Sequence, residues 1–353
     1  MRRKTRVVKV GSLSLGGEFP IRVQSMTSTK TTDIDATLKQ IEALIKEDCE
    51  IVRISVPDQK SLKAFKEIRK VITIPLVADI HFNYRLAIGA IEAGADKIRI
   101  NPGNIGEKEK VKEIIQALKL NGKACRIGVN SGSLEEDLID KYGGVTPEAL
   151  VESAIRWVDF FVNHGFYDIV VSVKSSSVRD TIEAYELLSQ RIDFPLHLGV
   201  TEAGPLIPGT VKSSIAMGYL LYKGIGDTIR VSLTEDPVYE VRVAWEILKS
   251  LDLRYNGPVI ISCPTCARTR VNLMELVHQV EERLRDVKKP LKIAIMGCEV
   301  NGPGEARDAD IGVAAEPGRG VIFKKGVVVK RVPYEQIIEE LLNLIQSEGG
   351  TNG

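Results

Sequence analysis

Between residues 21 and 250 the chain alternates two patterns. Short β-branched runs that end in polar residues give way to stretches where apolar residues recur every three or four positions. The runs are IRVQSM (21–26), EIVRISV (50–56), LVADIHF (76–82), KIRINPG (97–103), CRIGVN (125–130), DIVVSVK (168–174), LHLGVT (196–201) and TIRVSL (228–233). Helical patterns such as DATLKQIEALIKE, VKEIIQALKLNG and PVYEVRVAWEILKS separate them. Parallel strands need long crossover connections, usually helices, so the alternation predicts βαβ units. Eight units predict an α/β fold with an N-terminal (β/α)8 barrel of TIM type. A doubly wound open sheet is the competing arrangement. No G-x-G-x-x-G follows the first run, which disfavours the dinucleotide-binding version of that sheet.

Side chains alternate faces along a strand. Val52, Ile54 and Val56 share one parity, with Arg53 and Ser55 on the other. Ile98 and Ile100 oppose Arg99 and Asn101; Ile127 and Val129 oppose Arg126, Gly128 and Asn130; Val171 and Val173 oppose Ser172 and Lys174; Ile229 and Val231 oppose Arg230 and Ser232. The apolar parity is expected on the outer helices and the polar parity inside the barrel. Barrel interiors are ordinarily filled by bulky branched residues; this one is expected to be cationic. Arg53, Arg99, Arg126, Lys174 and Arg230 then converge on the C-terminal mouth, where barrel enzymes place their chemistry. The obvious balancing carboxylates are Asp79 and Glu202. Like charges facing one another are costly without an anion between them, and guanidinium forks suit phosphate oxygens. A diphosphate or doubly phosphorylated ligand is the expected occupant.

The loops after the strands agree. NPGNIGEKEK and VKSSSVRD open helices, and NSGS (130–133) resembles an anion-binding nest. Asp79, His81, Asn101, Asn130, Thr201, Glu202 and Ser232 complete the polar groups expected at the mouth. Glu202, in TEAG, is the candidate proton donor or acceptor, with charge balance as its alternative role. His81 has a structural alternative too.

After the last barrel helix, near Leu251, the pattern changes. GPVIISC and LKIAIMGC read as strands ending at cysteines, TRVNLMELVHQVEERLRDV as a helix, VIFKKGVVVKRV as a hairpin centred on Lys-Gly, and YEQIIEELLNLIQS as a closing helix. The expected layout is a barrel over 1–251, a linker over 252–256 and a smaller α/β domain over 257–353.

Composition adds little to this picture, and charge and cysteine count add more. The chain has 353 residues, of which 44% are hydrophobic and 27% charged, with a formal net charge of +1. Bulk charge therefore points to neither nucleic acid nor membrane. The basic start MRRKTRVVKVGSLSLGG lacks the apolar stretch of a signal peptide, and no apolar run approaches the roughly 20 residues of a spanning helix. A cytoplasmic protein is expected. Five cysteines are too few and odd-numbered for a disulfide framework. Cys49 and Cys125 sit in apolar runs and read as buried thiols.

The other three are different. Cys263 and Cys266 form C-P-T-C at a strand end, and Cys298 ends a second strand in MGCEVNGPGE. A redox C-x-x-C pair leaves Cys298 unexplained. Three thiolates suit zinc or an iron–sulfur cluster. Structural zinc usually shows a second tight pair, and His278, mid-helix, does not supply one, so the cluster is the better reading. The fourth position is open on spacing alone: it is either absent or an oxygen from Glu299 or Glu305, which flank the Gly-Pro-Gly loop. A carboxylate is a hard ligand for a thiolate cluster and would exchange easily.

Taken together, VQSMTSTKT, IVRISVP, ADIHF, IRINPGNIG, RIGVNSGSLE, TEAG, GIGDTIRVSLT, CPTC and MGCEVNGPGEA resemble the 4-hydroxy-3-methylbut-2-enyl diphosphate synthase family (IspG/GcpE) in its compact bacterial two-domain form. The resemblance covers nearly the whole chain. It implies a 4Fe–4S cluster on Cys263, Cys266, Cys298 and Glu305, with Asn301 beside it. It implies 2-C-methyl-D-erythritol 2,4-cyclodiphosphate as substrate, held by Arg53, Arg99, Arg126, Lys174 and Arg230 with Asn101, Asn130, Thr201 and Ser232, and Glu202 in proton transfer. Ferredoxin or flavodoxin is the implied electron donor.

The direction of the barrel's last helix predicts one more feature. That helix runs away from the mouth, over about 20 Å for its roughly 14 residues, and the linker enters the next strand almost at once. Each cluster domain is therefore expected near the wrong end of its own barrel, and a head-to-tail homodimer is expected, each cluster domain capping the partner's barrel. Two rivals remain on sequence alone: a phosphate-substrate aldolase or isomerase with structural zinc, and an RNA-binding iron–sulfur sensor. The few aromatics and the internal position of the cations disfavour the second.

Overall fold

The computed structural model of the chain describes residues 2–298 and 308–347. It divides into two compact units, Met1–Arg254 and Tyr255–Gly353. No helix among the described residues is long and apolar enough to cross a membrane.

The first unit begins with a small antiparallel hairpin, β1 (Val8–Val10) and β2 (Leu13–Leu15), joined through Gly11 and Ser12. Eight parallel strands follow: β3 (Arg22–Met26), β4 (Ile51–Ser55), β5 (Leu76–Asp79), β6 (Lys97–Ile100), β7 (Ala124–Asn130), β8 (Ile169–Lys174), β9 (His197–Leu198) and β10 (Thr228–Ile229). Their order is β8-β7-β6-β5-β4-β3-β10-β9. A parallel bridge between Val171 and Leu196 joins the two ends, and Val171 N–H donates to the Pro195 carbonyl at 2.9 Å. The sheet is thus a closed barrel, which excludes the open doubly wound arrangement.

Each strand leads into a helix on the outside. The long ones are α1 (Ile34–Lys46), α2 (Gln59–Val71), α3 (Tyr84–Glu92), α5 (Lys108–Asn121), α7 (Pro147–Asn163), α8 (Val178–Arg191), α9 (Leu206–Tyr222) and α10 (Pro237–Ser250), with short α4 (Pro102–Ile105) and α6 (Glu136–Tyr142) in the connections. Side-chain oxygens start several of them by accepting a free first-turn N–H, as Asp33, Asp58, Ser177 and Asp236 do. The outward strand residues Val52, Ile54, Ile98, Ile100, Ile127, Val129, Val171 and Val173 are fully buried against these helices. The hydrophobic parity thus packs where the sequence places it.

Two features differ from the sequence pattern. The hairpin at residues 8–15 is not part of the barrel alternation; it closes the N-terminal end. Val8, Val10 and Leu15 pack on Ile51, Val77, Ala124 and Val170, the first inward residues of β4, β5, β7 and β8. Strands β9 and β10 are also shorter than the runs LHLGVT and TIRVSL suggest. A side chain at Gly199, just past β9, would collide with Lys174 Nζ and meet the Arg230 carbonyl at 2.6 Å, so the chain there makes room for the mouth rather than extending the ladder.

The second unit is a five-stranded sheet in the order β11 (Val259–Ser262), β12 (Lys292–Met296), β13 (Ile311–Glu316), β14 (Arg319–Lys324) and β15 (Val327–Pro333). The first three strands are parallel and the last two antiparallel. The β14–β15 hairpin turns on Lys325 and Gly326, both at positive φ, as a tight two-residue turn demands. Helices α11 (Leu273–Leu284) and Ile337–Ser347 cover one face through Leu276, Val280, Leu341 and Ile345.

Candidate active site

The aliphatic floor of the barrel ends with Ile51, Val77, Ala124 and Val170. Above it the inward parity is polar: Gln24, Arg53, Lys97, Arg126, Ser172, His197 and Thr228, then Asp79, Arg99, Lys174 and Arg230. The five cations expected at the mouth are gathered inside one barrel. Arg99, Arg126 and Lys174 are 5%, 2% and 6% exposed, low enough that each needs a partner.

Protein partners do not suffice. Asp79 takes Arg99 at 3.4 Å, Arg53 at 4.0 Å and the His81 ring at 3.2 Å. Burial would raise the Asp79 carboxyl, but Arg53, His81 and Arg99 outweigh it and hold it ionised well below the usual range. The second carboxylate is Glu240, from α10, which the sequence reading did not single out. Glu240 accepts from Arg230 at 2.8 and 3.2 Å and from Ser25 Oγ at 2.9 Å. Glu202, the expected balancing group, is exposed and forms no ion pair with the arginines among the described residues, so its charge-balancing role is corrected to Glu240.

Arg126 Nε and Nη1 have no hydrogen-bond partner among the described residues, nor does Arg99 Nε. Burial, then Arg53 and Arg99, push the Arg126 guanidinium well below its ordinary value; burial, then Arg126 and Arg230, do the same to the Lys174 amine. Arg53 rests two of its donors on the Met26 thioether at 3.0 and 2.8 Å, a weak acceptor. An anion with several oxygens would satisfy all of these at once. Glycines make the space. A Cβ at Gly128 would meet Arg99 Nε at 2.7 Å, and Gly199 does the corresponding service for Lys174.

The neutral polar residues lie around this ring in different degrees of engagement. Asn101 is buried and caps α4, accepting from Gly103 N–H at 3.1 Å and donating to Ser133 Oγ at 2.6 Å. Asn130, with its amide turned to satisfy both ends, accepts from Arg99 Nη2 at 2.9 Å. Ser232 Oγ accepts from Arg230 Nη1 at 2.7 Å. Thr201 N–H donates to the Ser175 carbonyl at 3.2 Å, and Glu202 follows it at φ 52, a left-handed conformation uncommon for a residue with a side chain. Buried Ala203 and a hydrogen bond from Thr234 N–H to the Gly204 carbonyl at 3.0 Å anchor that loop.

Sequence reasoning missed Lys97 and His197 as well as Glu240. Both lie on the same inward parity as residues it named, and both are fully buried. Burial, then Arg126 and Lys174, hold His197 neutral; its Nδ1 pairs with Thr228 Oγ1 at 2.7 Å.

In the second unit β11 and β12 are neighbours in parallel register, Ser262 beside Ile295, so the chain reaches Cys263 and Cys298 from adjacent strand ends. Gly297 N–H donates to Cys263 Sγ at 3.3 Å. A backbone hydrogen bond from Arg268 lowers the Cys266 thiol, which favours its thiolate. By contrast, burial pushes Cys49 up to about 12 and raises Cys125 as well, as expected of inert thiols. Among the described residues no three His, Cys, Asp or Glu side chains are gathered closely enough to hold a metal ion. Glu299, Asn301 and Glu305 lie outside the described residues. The donor set itself, partly exposed thiols with N–H donors aimed at sulfur, fits a thiolate-bound metal cluster.

Known proteins share both units. The GcpE TIM-barrel domain matches residues 5–245 and the GcpE protein C-terminal domain residues 259–347. The 4-hydroxy-3-methylbut-2-en-1-yl diphosphate synthase (flavodoxin) of Caldanaerobacter subterraneus subsp. tengcongensis is 58% identical over 346 residues, 98% of each chain. The protein of the same name from Lawsonia intracellularis is 56% identical over 99% of this chain and 96% of its own. Among solved structures, dihydropteroate synthases from Yersinia pestis and Stenotrophomonas maltophilia superpose with TM-scores of 0.51 and 0.52, each over 70% of this chain and 97% and 98% of theirs. At 12% identity that likeness concerns the fold alone. With both of its units matched and relatives this close along its whole length, the chain belongs to the GcpE family, that of the 4-hydroxy-3-methylbut-2-en-1-yl diphosphate synthases.

Proposed function

We propose that this protein converts 2-C-methyl-D-erythritol 2,4-cyclodiphosphate to 4-hydroxy-3-methylbut-2-enyl diphosphate, an oxidoreductase step of non-mevalonate isoprenoid synthesis. Two electrons and protons enter, the ring C–O bond to phosphate breaks, and one hydroxyl leaves as water. The observation that carries this reading is the cation excess in the barrel: Arg53, Arg99, Arg126, Lys174 and Arg230 face, among the described residues, two carboxylates, Asp79 and Glu240. Only a polyanion in the mouth balances such a ring.

Arg53, Arg99, Arg126, Lys174 and Arg230 bind the two phosphates, with Asn101, Asn130, Thr201 and Ser232 fixing orientation. Held at several points, the carbon skeleton reacts as a positioned group rather than a diffusing one. Glu202, exposed at the mouth and free of the arginines, is the proton-transfer group. Cys263, Cys266 and Cys298 would hold a 4Fe–4S cluster, with Glu305 as an exchangeable fourth ligand and Asn301 nearby; such a cluster would supply single electrons and Lewis acidity for loss of the hydroxyl. The relatives' names support flavodoxin as the donor, with ferredoxin the alternative. Thiols kept unpaired in this way fit a reducing cytoplasm.

Anaerobic turnover with reduced flavodoxin tests the reading. Cluster-loaded wild type is expected to form the linear diphosphate, and Glu202→Gln to lose roughly 10²- to 10⁴-fold in kcat. No product from loaded wild type would overturn the function, and full activity in Glu202→Gln would remove its assigned role.

The same reading includes the head-to-tail homodimer. An apolar stripe along α9 supports a subunit contact: Ile207, Val211, Ile215, Tyr219 and Tyr222 recur at three- to four-residue steps on one face and are all exposed. Ile215→Asp is expected to shift the sedimenting species from dimer to monomer, with activity falling in step. An unchanged dimer would remove the stripe from the interface.

A further inference from the structure

Among the described residues, Lys97 is a buried amine that the diphosphate reading leaves without a role. It lies on β6 two residues before Arg99, on the same inward parity, so its Cα is about 6–7 Å nearer the floor. Its side chain is 0% exposed, and Nζ has no hydrogen-bond partner among the described residues. Other buried polar atoms at inward strand positions are in the same condition: both amide atoms of Gln24, Ser172 Oγ and His197 Nε2. Native interiors rarely leave such groups unpaired, so this layer has a task beyond packing.

We propose that Lys97 is the proton acceptor coupled to substrate binding: a diphosphate entering the mouth draws one proton onto this amine, whose new charge then helps to hold it. This rests on the diphosphate reading of the mouth.

The surroundings of Lys97 require such behaviour. Arg53 on β4 and Arg126 on β7 face it with positive charge. The Cys125 thiol beside it on β7 and the His197 ring on β9 are both held neutral by burial. On β5, Val77 is its register partner, and Asp79 further up is already shared among Arg53, Arg99 and His81. Strands β3, β8 and β10 contribute Gln24, Ser172 and Thr228, none of which titrates in this range, and the floor beneath is Val8, Val10 and Leu15. Burial first, then Arg126 and Arg53, bring the amine down to about 7. Without ligand it is largely neutral above that pH. Two phosphate charges overhead reverse the sign of the local field and raise it. A proton is therefore taken up between about pH 7 and the raised value, and across that window affinity falls by up to about tenfold per pH unit. Below about pH 6 the amine is already charged and nothing is taken up.

The cyclic diphosphate suits the measurement, because each phosphorus carries a single strongly acidic hydroxyl and contributes no titration near neutrality. Calorimetric titration of the oxidised holoenzyme with it, in buffers of different ionisation enthalpy, counts the protons. We expect an uptake approaching one proton per site at pH 8 that dwindles towards pH 6. Lys97→Met and Lys97→Gln should bind with little uptake and a flat pH dependence above 7. Binding by wild type without uptake at pH 8 would overturn the proposal even if neither variant folds. Uptake that survives in a folded Lys97 variant would assign the proton elsewhere, Lys174 being the next buried amine, and would overturn it too. A wild type that does not bind the cyclic diphosphate at all would instead overturn the proposed function, and this inference with it.

Discussion

Replacing Arg126 by methionine is expected to make the ligand-free protein harder to melt and far poorer at holding its substrate. Arg126 is 2% exposed, and among the described residues two of its guanidinium nitrogens lack partners and no carboxylate pairs with it. In the empty barrel its charge is a liability: desolvated, and repelled by Arg53 and Arg99. An apolar side chain of similar length relieves this. Exchange of buried charge for hydrophobic packing gains on the order of 1–4 kcal/mol, and each kcal/mol moves the midpoint by about 2–4 °C in a domain of this size. With the diphosphate bound the sign reverses, since a buried charge–charge contact is lost. That loss is about 2–5 kcal/mol, or roughly 30- to 5,000-fold in Kd. Thermal melts with and without the cyclic diphosphate, beside calorimetric affinity, give both signs in one preparation. A variant that melts lower and binds normally would make Arg126 a structural residue.

The cysteines should divide into two classes just as sharply. Cys263→Ser or Cys266→Ser is expected to remove the visible iron–sulfur absorption and the bound iron, and to lower turnover by more than about a hundredfold. Disturbing the groups that merely support a metal ligand already costs about 10- to 100-fold. Cys125→Ala should keep iron, colour and turnover and lose only about 1 kcal/mol of stability, because that thiol is fully buried and held protonated. Iron content and the spectrum of anaerobically purified protein decide the matter. Zinc in place of iron in the wild type would remove the cluster from the proposed mechanism.

Much of this molecule is legible because strand periodicity carries it. Alternation in IVRIS and CRIGVN sends Val52 and Ile127 outward, and with them the barrel and the inward Arg53 and Arg126 follow. The same rule reaches Lys97 and His197, which stand at the first inward positions of short strands where the alternation has only begun. Glu240 was hidden for another reason. It is a lone carboxylate on the buried face of α10, at helical spacing from Pro237, Ala244 and Ile247, and only the fold brings it to Arg230 and Ser25. The hairpin in VKVGSLSL did leave a signal: two alternating triplets joined by Gly-Ser, with Gly11 at positive φ. Each strand is only three residues long, and what holds it is a surface assembled from β4, β5, β7 and β8, which no local pattern describes.

That hairpin has a consequence for how the chain comes together. Val8, Val10 and Leu15 precede Val170, part of their seat, by more than 150 residues. For roughly the time needed to make 160 further residues, at about 5–20 residues per second, these apolar side chains have nowhere to go. Contacts of such sequence separation form late and slowly. The barrel is therefore sealed from below only once β8 is in place, and until then this hairpin is apolar surface that a chaperone could shield.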